Sequence, residues 1–285
     1  MITTRSRHRH VISEAIQWAL IAISMLFFLV PVIWLVLQSF VRGESAVISP
    51  SLESFTNLTF DSYLYLFNPH SQSIRHLINS VVISTVVMFI AGGLSLTTAY
   101  ALAQRKTKGS EFIRLWLLSI KFFPPMALVL PIFVQFYVLR LINTYHGIIL
   151  VYSVINLPIA IWLMYSFIRE IPPDIMEAAL VDGVSWVGMI RHIVLPVVVG
   201  GMVVTMFFVF IWTWNEFLMA TILTGSDTAT LPRSLQSLIE TTGHRPLRWD
   251  RISAMTVVMM LPAVLVAGII HRHIARGLTF GAVRG

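Results

Sequence analysis

The chain has 285 residues, of which 56% are hydrophobic and only 12% are charged. A soluble domain usually carries about 25% charged residues, so this composition excludes an ordinary soluble protein and indicates a membrane protein. The net charge is +7, and most basic residues lie near the ends of apolar runs. Because this distribution is typical of a membrane protein, we expect no nucleic-acid partner. The chain contains no cysteine, which excludes disulfides and thiolate metal sites.

The apolar segments predict the fold class, because crossing a membrane takes about 20 apolar residues. Five stretches of that length contain no Asp, Glu, Lys or Arg, and a sixth carries only Lys121. The predicted spans are about 16–39, 77–103, 115–139, 146–168, 194–222 and 252–270. Hydrocarbon offers no partner to open backbone groups, so each span must be helical. We predict an all-α membrane protein with six transmembrane helices.

Lysine and arginine are spread unevenly over the two sides of the predicted membrane. With the N-terminus inside, twelve lie in inner segments and seven in outer ones, which favours both termini on the cytoplasmic side. We therefore divide the chain into a cytoplasmic tail (1–15), a six-helix transmembrane domain (16–270) and a second cytoplasmic tail (271–285). The domain contains an inner loop at 170–196 and an outer loop at 223–251.

The inner loop is the one stretch with an organised polar surface between apolar spans. Asp174 follows two prolines and is expected to cap a short helix, with Glu177 as the reciprocal member of a capping pair. Gly183 suits a left-handed turn that ends this helix, and Ser185 can cap a second one. Two interpretations stay open for this helix–turn–helix: a docking surface for a soluble partner, or an amphipathic connector that lies on lipid.

The spacing of this loop resembles a known signature. The order is Glu177-Ala178-Ala179, three residues, Gly183, nine residues, then Ile-x-Leu-Pro at 193–196. It resembles the signature loop of the membrane subunits of binding-protein-dependent ABC importers, without departure at the framing positions. Trp214-Asn215-Glu216-Phe217 and the run 277–285 resemble the MalG-type carbohydrate permease branch, which more often has lysine where this chain has Arg284.

The resemblance implies the type I ABC importer permease fold and gives roles to named residues. The helix at 174–183 would be a coupling helix seated in a cleft of a cytoplasmic ATPase subunit, through Glu177, Ala178, Ala179, Asp182 and Gly183. A second ATPase contact would come from Gly281, Arg284 and Gly285. The candidates for contact with a binding protein are Thr241, Thr242, Gly243 and His244 in the outer loop.

The resemblance also implies an assembly in the cytoplasmic membrane of a bacterium or archaeon. Its other members would be a second permease subunit, two ATP-binding cassette subunits and an extracytoplasmic solute-binding protein. The chain has three lysines, and none stands in the G-x-x-x-x-G-K-[ST] pattern of a phosphate-binding loop. We therefore expect no catalytic residue here, with ATP and Mg bound by the ATPase subunits. The expected cargo is a sugar or sugar-like solute, with a polyol or glycerol phosphate compound as the alternative.

Two ionisable residues lie within predicted spans. These are Glu216 and Lys121. Such residues usually mark a pathway or a pair, so Glu216 and its neighbour Asn215 are candidates for the translocation pathway or for the interface between two permease subunits. Lys121 lies about two turns into the third span, from where its ammonium group could extend to the membrane surface. An ion-coupled secondary transporter that uses Lys121 and Glu216 is the alternative from another class. No metal site is expected, because the paired histidines near the termini lack a third ligand.

Overall fold

Helices make up most of the part described by the structure, a computed structural model that covers residues 3–41, 58–104, 109–240 and 247–281. The α-helices are α1 (Thr3–Gln38), α2 (Asp61–Leu66), α3 (Gln72–Gln104), α4 (Ser110–Ser119), α5 (Pro125–Val138), α6 (Tyr145–Arg169), α7 (Pro173–Val181), α8 (Trp186–Gly188), α9 (Leu195–Val197), α10 (Val199–Trp214), α11 (Leu218–Leu223), α12 (Leu231–Glu240) and α13 (Trp249–Gly281). A 3-10 turn at Ile120–Phe122 follows α4, and a π-helix at Met189–Val194 joins α8 to α9. Among the described residues no β-strand forms, so the predicted all-α class is confirmed.

Four helices are long and apolar enough to cross a membrane without interruption. They are Ile16–Gln38, Gln72–Ala103, Tyr145–Arg169 and Trp249–Val266. Two helix pairs pass the same test together but are sharply bent, by 93° between Ser110–Phe122 and Pro125–Val138, and by 86° between Trp186–Val197 and Val199–Trp214. The described residues therefore hold four such helices, or six if each bent pair crosses the membrane once.

The predicted spans 115–139 and 194–222 are each sharply bent, and neither forms one continuous helix. In the third span Phe123 takes an extended ψ of 130°, because the ring of Pro124 disfavours helical angles in the residue before it. In the fifth span the direction changes at Val198, whose ψ is 13°, two residues after Pro196 removes a backbone donor. The same span ends at Trp214, so α11 is a separate helix.

The chain divides into two compact units, the first of which comprises Met1–Asn68 and Leu238–Val258. Large apolar side chains of α1 are exposed from Ile16 to Ile33. The buried carboxylate of Asp250 accepts hydrogen bonds from Ser62 Oγ at 2.9 Å and from Arg248 Nη2 at 2.8 Å. Because both donors satisfy its oxygens, this carboxylate is a structural group of the first unit.

The second unit comprises Pro69–Ser237 and Met259–Gly285, and its centre is the packing of α3, α6 and α10 against one another. Two buried apolar clusters hold it together. One joins α3, α6 and α7 to residues 189–198; the other joins α3, α5, α6, α10 and α11. The ring of Phe167 on α6 occupies the space where a Cβ at Gly201 on α10 would lie, so glycine permits this close approach.

The two segments predicted as tails are largely helical. The first helix already begins at Thr3, and α13 continues to Gly281. The division into tails and a transmembrane domain stays a prediction, because helix boundaries do not place the membrane surface.

Candidate coupling helix and membrane-embedded polar sites

The predicted turn after the helix α7 is present in the structure. Gly183 has φ of 71°, in the left-handed region that favours glycine. The Val184 amide donates to Ala179 O and the Gly183 amide donates to Leu180 O, both at 3.1 Å. These two bonds form a Schellman motif, which satisfies carbonyls that would otherwise be free at the helix end. The predicted cap by Ser185 is also confirmed, since its Oγ accepts from the Gly188 amide at 3.2 Å.

The predicted capping pair at the start of α7 is wrong. The residue before the helix is Pro172, and no side chain caps it. Pro173 takes the first helical position, where its missing N–H costs nothing and its fixed φ suits a helix. Asp174 therefore lies inside the first turn, where its carboxylate interacts favourably with the positive end of the helix dipole.

The two faces of α7 differ in what they contact. Met176 and Ala179 are buried in the apolar cluster that includes α6. Glu177 and Ala178 are exposed, and so are the apolar side chains that follow, Leu180 at 63% and Val181 at 87% exposure. Of the two alanines that were expected to face a partner, only Ala178 is exposed, because Ala179 packs inside the chain's own apolar cluster. Contact of either alanine with a partner stays a prediction. The spacing of the motif gave no sign of the exposed apolar pair at 180–181.

The carboxylate of Glu216 is held within the chain. Its Oε2 accepts from the Tyr152 hydroxyl at 2.7 Å, and its two oxygens accept from the Met219 amide at 3.0 and 3.1 Å. The Ala220 amide adds a bond of 3.2 Å to Oε2. A carboxylate that faces the first amides of a helix satisfies orphan donors there and interacts with the helix dipole. Glu216 thus links α6 to the first turn of α11, a contact that the sequence did not predict.

A second polar contact joins α6 to α10, through residues that are close to Tyr152 and Glu216 in the sequence. Asn156 Nδ2 donates to Tyr152 O at 2.9 Å and to Thr213 Oγ1 at 3.2 Å, and all three residues are buried. Trp214 is buried as well, and its Nε1 donates to Met259 O on α13 at 3.0 Å. Asn215 is exposed, and its Nδ2 donates to Ile211 O on its own helix at 2.8 Å. Its assignment to a pathway or a permease interface stays a prediction.

Lys121 is half-buried in the 3-10 turn between the two parts of the third span. Its Nζ lies 5.0 Å from the centroid of the Trp212 ring, which is a cation–π distance. No described carboxylate forms an ion pair with it. The ammonium group therefore contacts α10, an arrangement that its position in the third span does not predict.

The first part of the predicted outer loop is tightly bound to the second unit. Asn143, at a left-handed φ of 57°, accepts through Oδ1 from the Gly225 amide at 2.8 Å and from Thr228 Oγ1 at 2.9 Å. Asn79 Nδ2 donates to Ala229 O at 2.9 Å, and Ser80 Oγ accepts from the Leu231 amide at 2.8 Å. Residues 228–231 are all buried. The segment 224–231 is therefore an anchored part of the fold, and α12 occupies much of the remaining predicted loop.

Several predicted site residues lie outside the described part of the chain. These are Thr241, Thr242, Gly243 and His244, together with Arg284 and Gly285. Gly281 is the last described residue and ends α13. Among the described residues, no group of three His, Cys, Asp or Glu side chains is placed to hold a metal ion.

Most of the chain matches one known protein family. Residues 91–280 match the family described as "Binding-protein-dependent transport system inner membrane component". The chain belongs to this family. The match contains the signature loop, α7 and both bent helix pairs, so the predicted resemblance to binding-protein-dependent ABC importer subunits is confirmed.

Curated relatives agree with this membership over nearly the whole chain. The trehalose/maltose transport system permease protein MalG of Thermococcus litoralis is 31% identical, over 93% of this chain and 94% of its own length. The trehalose transport system permease protein SugB of Mycobacterium tuberculosis is 33% identical, over 95% and 98%. A bacterial ABC transporter involved in the import of the acidic polysaccharide alginate has a chain of the same fold, with a TM-score of 0.74 at 17% identity, over 95% of this chain and 99% of that one.

Proposed function

We propose that the chain is the transmembrane permease subunit of an ATP-driven ABC importer for a sugar or sugar-like solute. Membership of the binding-protein-dependent transport family supports the transporter role and an external solute-binding protein as partner. The cargo class rests on relatives named as permeases for trehalose, maltose and sulfoquinovosyl glycerol. In this proposal the chain itself is not catalytic, and ATP with Mg is bound and hydrolysed by two separate ATPase subunits.

The observation that carries the coupling role is the exposed face of α7. Val181 is 87% exposed and Leu180 63% exposed beside the acidic Glu177 and Asp182, and no basic residue lies within the helix. Exposed apolar side chains beside charged ones are typical of protein-binding surfaces. A membrane surface fits this face less well, because an anionic leaflet would repel its carboxylates. A cleft that buries the apolar pair and offers basic groups to the carboxylates is the better partner.

The packing of α7 supplies a route by which movement of the ATPase would reach the membrane helices. Met176 and Ala179 share one apolar cluster with Met164 and Ile168 on α6 and with Val194 ahead of α10. Close-packed side chains have little free space between them, so they move together. We infer that displacement of α7 by closing ATPase subunits shifts α6 and α10, and thereby switches the cavity between inward-facing and outward-facing states.

The remaining partners follow from the same proposal. A second permease subunit completes the membrane cavity, and both termini are cytoplasmic. Gly281, Arg284 and Gly285 at the C-terminus give a second ATPase contact. Thr241, Thr242, Gly243 and His244 reach the binding protein from the outer side.

The coupling role is tested by retention of the ATPase and by uptake in the reconstituted transporter. We expect Val181→Glu and Glu177→Ala each to reduce the ATPase that co-purifies with the chain and to abolish ATP-driven uptake of maltose or trehalose into proteoliposomes. The matched control is Glu170→Ala, an exposed acidic residue outside α7. ATPase retention needs no solute, so it tests coupling even if neither sugar is the cargo.

Two results would overturn the proposal. Normal ATPase retention and uptake in both α7 variants would remove the coupling role. Uptake by the chain without any ATPase, driven by an ion gradient, would favour the secondary transporter that uses Lys121 and Glu216. The cargo class is tested separately by identifying the ligand that the partner binding protein retains on purification, for which a polyol or a glycerol phosphate compound is the alternative outcome.

A further inference from the structure

A cationic cluster lies where the end of α6 meets the start of α4. The guanidinium carbon of Arg114 on α4 lies 4.8 Å from the centroid of the Tyr165 ring, and that of Arg169, the last residue of α6, lies 5.9 Å from the same centroid. Arg169 Nη1 also donates to the Tyr165 hydroxyl at 3.3 Å. One aromatic ring thus holds two guanidinium groups close together, at cation–π distance.

The two positive charges are not neutralised by the acidic groups around them. Arg114 Nη2 lies 3.4 Å from Glu111 Oε1, but the Glu111 side chain is 81% exposed, and exposed ion pairs are weak and screened. Arg169 forms no ion pair with a described carboxylate, including that of its neighbour Glu170. Two guanidinium groups at one ring therefore repel each other, and a bound anion would offset this repulsion.

The cluster borders an exposed apolar surface of the same helix. Beside Arg114, the α4 side chains of Phe112, Leu115 and Trp116 are 72%, 59% and 54% exposed. α4 forms the first part of a candidate membrane span, so these side chains contact acyl chains if lipid surrounds them. Tryptophan is typical of the interface between headgroups and acyl chains. Positive groups at the end of a span, next to exposed apolar groups, match the two parts of a phospholipid.

We propose that Arg114, Tyr165 and Arg169 form a binding site for the phosphate headgroup of one anionic phospholipid of the phosphatidylglycerol type. Its acyl chains lie along the exposed apolar side chains of α4. Tyr165 holds both arginines in position: its ring packs against the apolar cluster of α3, α6 and α7, and the ring and its hydroxyl contact the guanidinium groups. The site does not depend on the solute, and its lipid titration needs only this chain, so the test gives an answer whether or not the proposed transport function is correct.

The test is a lipid titration of the full-length protein in mild detergent, followed by native mass spectrometry. The probes are palmitoyl-oleoyl phosphatidylglycerol and the matching phosphatidylcholine. Each arginine near a membrane surface contributes about fivefold in affinity for anionic lipid, so Arg114→Gln/Arg169→Gln should weaken phosphatidylglycerol binding roughly 25-fold. The matched control is Arg140→Gln, an exposed arginine at the other end of the bundle, which should leave binding unchanged.

Further variants separate charge from geometry. Arg114→Lys/Arg169→Lys keeps both charges but loses the planar groups that stack on the ring, so we expect intermediate affinity with preserved preference for phosphatidylglycerol. Tyr165→Leu keeps both arginines and removes their platform, and it should weaken binding as well. If the glutamine double variant fails to fold, the lysine variant and Tyr165→Leu decide the question by the same comparison.

Five results would overturn the proposal. Phosphatidylglycerol binding that is unchanged in the glutamine double variant would show that the two arginines do not bind the lipid. An equal fall in Arg140→Gln would show that the effect is not specific to them. An equal loss of phosphatidylcholine binding in the same double variant would show that the cluster does not recognise the anionic headgroup. Displacement of the lipid by millimolar inorganic phosphate would make the site one for free anions. Finally, the lipid should remain in the complex assembled with its ATPase and second permease; its loss there would show that a protein covers the cluster instead.

Discussion

The Tyr152 hydroxyl donates a hydrogen bond of 2.7 Å to Glu216 Oε2, and this bond joins the N-terminal third of α6 to the break between α10 and α11. Together with the amides of Met219 and Ala220 it gives the half-buried carboxylate three hydrogen-bond donors. Taking a polar group out of water is costly unless it is hydrogen-bonded. The bond therefore has a structural role that holds whatever function Glu216 has in transport.

Replacement of Tyr152 by phenylalanine tests this role. A hydrogen bond to a charged group contributes about 1.5–3 kcal/mol, so Tyr152→Phe should lower the free energy of unfolding by roughly that amount. The measurement is reversible unfolding in mixed micelles. Tyr137→Phe, which removes the hydroxyl of an exposed tyrosine, serves as the control and should leave stability unchanged. Equal effects of the two substitutions would contradict the structural role.

The contact of Gly201 with Phe167 predicts a difference between adjacent glycines. Gly201→Ala places a methyl group into the Phe167 ring, and overpacking of this kind costs about 1–3 kcal/mol of unfolding free energy. Gly200 is the preceding residue of the same helix, and no heavy atom lies within 4 Å of a Cβ built there. Gly200→Ala should therefore leave the free energy of unfolding unchanged or raise it slightly. A double-mutant cycle with Phe167→Ala should show that Gly201→Ala costs less once the ring is gone. Additive effects would show that α6 and α10 are not in close contact here.

The anchoring of segment 224–231 depends on Asn143. Asn143→Ala removes the acceptor of two hydrogen bonds, and it replaces a residue that tolerates the left-handed conformation with one that adopts it at a cost of about 1–2 kcal/mol. Asn143→Gly loses the same side-chain groups, including the amide that donates to Asp227 Oδ2 at 3.4 Å, but glycine adopts the left-handed conformation without that cost, so it should be the milder of the two. The readout is amide hydrogen exchange within 224–231, which should accelerate in both variants. Asn215→Ala is the control, and exchange that is as fast in it as in Asn143→Ala would contradict the anchor.

The turn after α7 gives an ordered series of variants at Gly183. No heavy atom lies within 4 Å of a Cβ built there, so only backbone strain opposes substitution. Asparagine tolerates the left-handed region best, alanine costs about 1 kcal/mol or more, and proline excludes it and removes the amide that bonds Leu180 O. ATPase retention and uptake should therefore decline in the order glycine, asparagine, alanine, proline. Gly93→Ala, in a helical position with the same free space, should retain normal coupling; equal behaviour of the asparagine and proline variants would exclude strain as the cause.

Predictions about regular features of the chain were accurate where the physical cause is local. Apolar runs of membrane length predicted helices, and the left-handed turn at Gly183 and the cap at Ser185 follow from the conformations that those residue types allow. The capping role of Asp174 was wrong for an equally local reason, because Pro173 starts the helix one residue earlier. Prolines accompany the two sharp bends within the spans, but the sequence did not predict the angles of those bends.

Contacts between distant segments could not be predicted from the sequence. Glu216 was expected in a pathway or an interface, and its partner Tyr152 lies 64 positions away. The anchoring of 224–231 by Asn79 and Asn143 likewise joins segments separated by 80 residues or more. A short polar motif shows which atoms can donate or accept a hydrogen bond, but the partner of each atom depends on how the helices pack.

The sequence by itself determined that this is a helical membrane protein of the binding-protein-dependent transport family, because hydropathy over 20 residues and the spacing of a signature loop are properties of the chain alone. Only the tertiary structure decided which side of α7 is buried, which partner holds each polar group, and that Arg114 and Arg169 share one tyrosine ring. The physical reason is that burial and hydrogen bonding depend on distances between segments, and those distances are set by the packing of α3, α6 and α10.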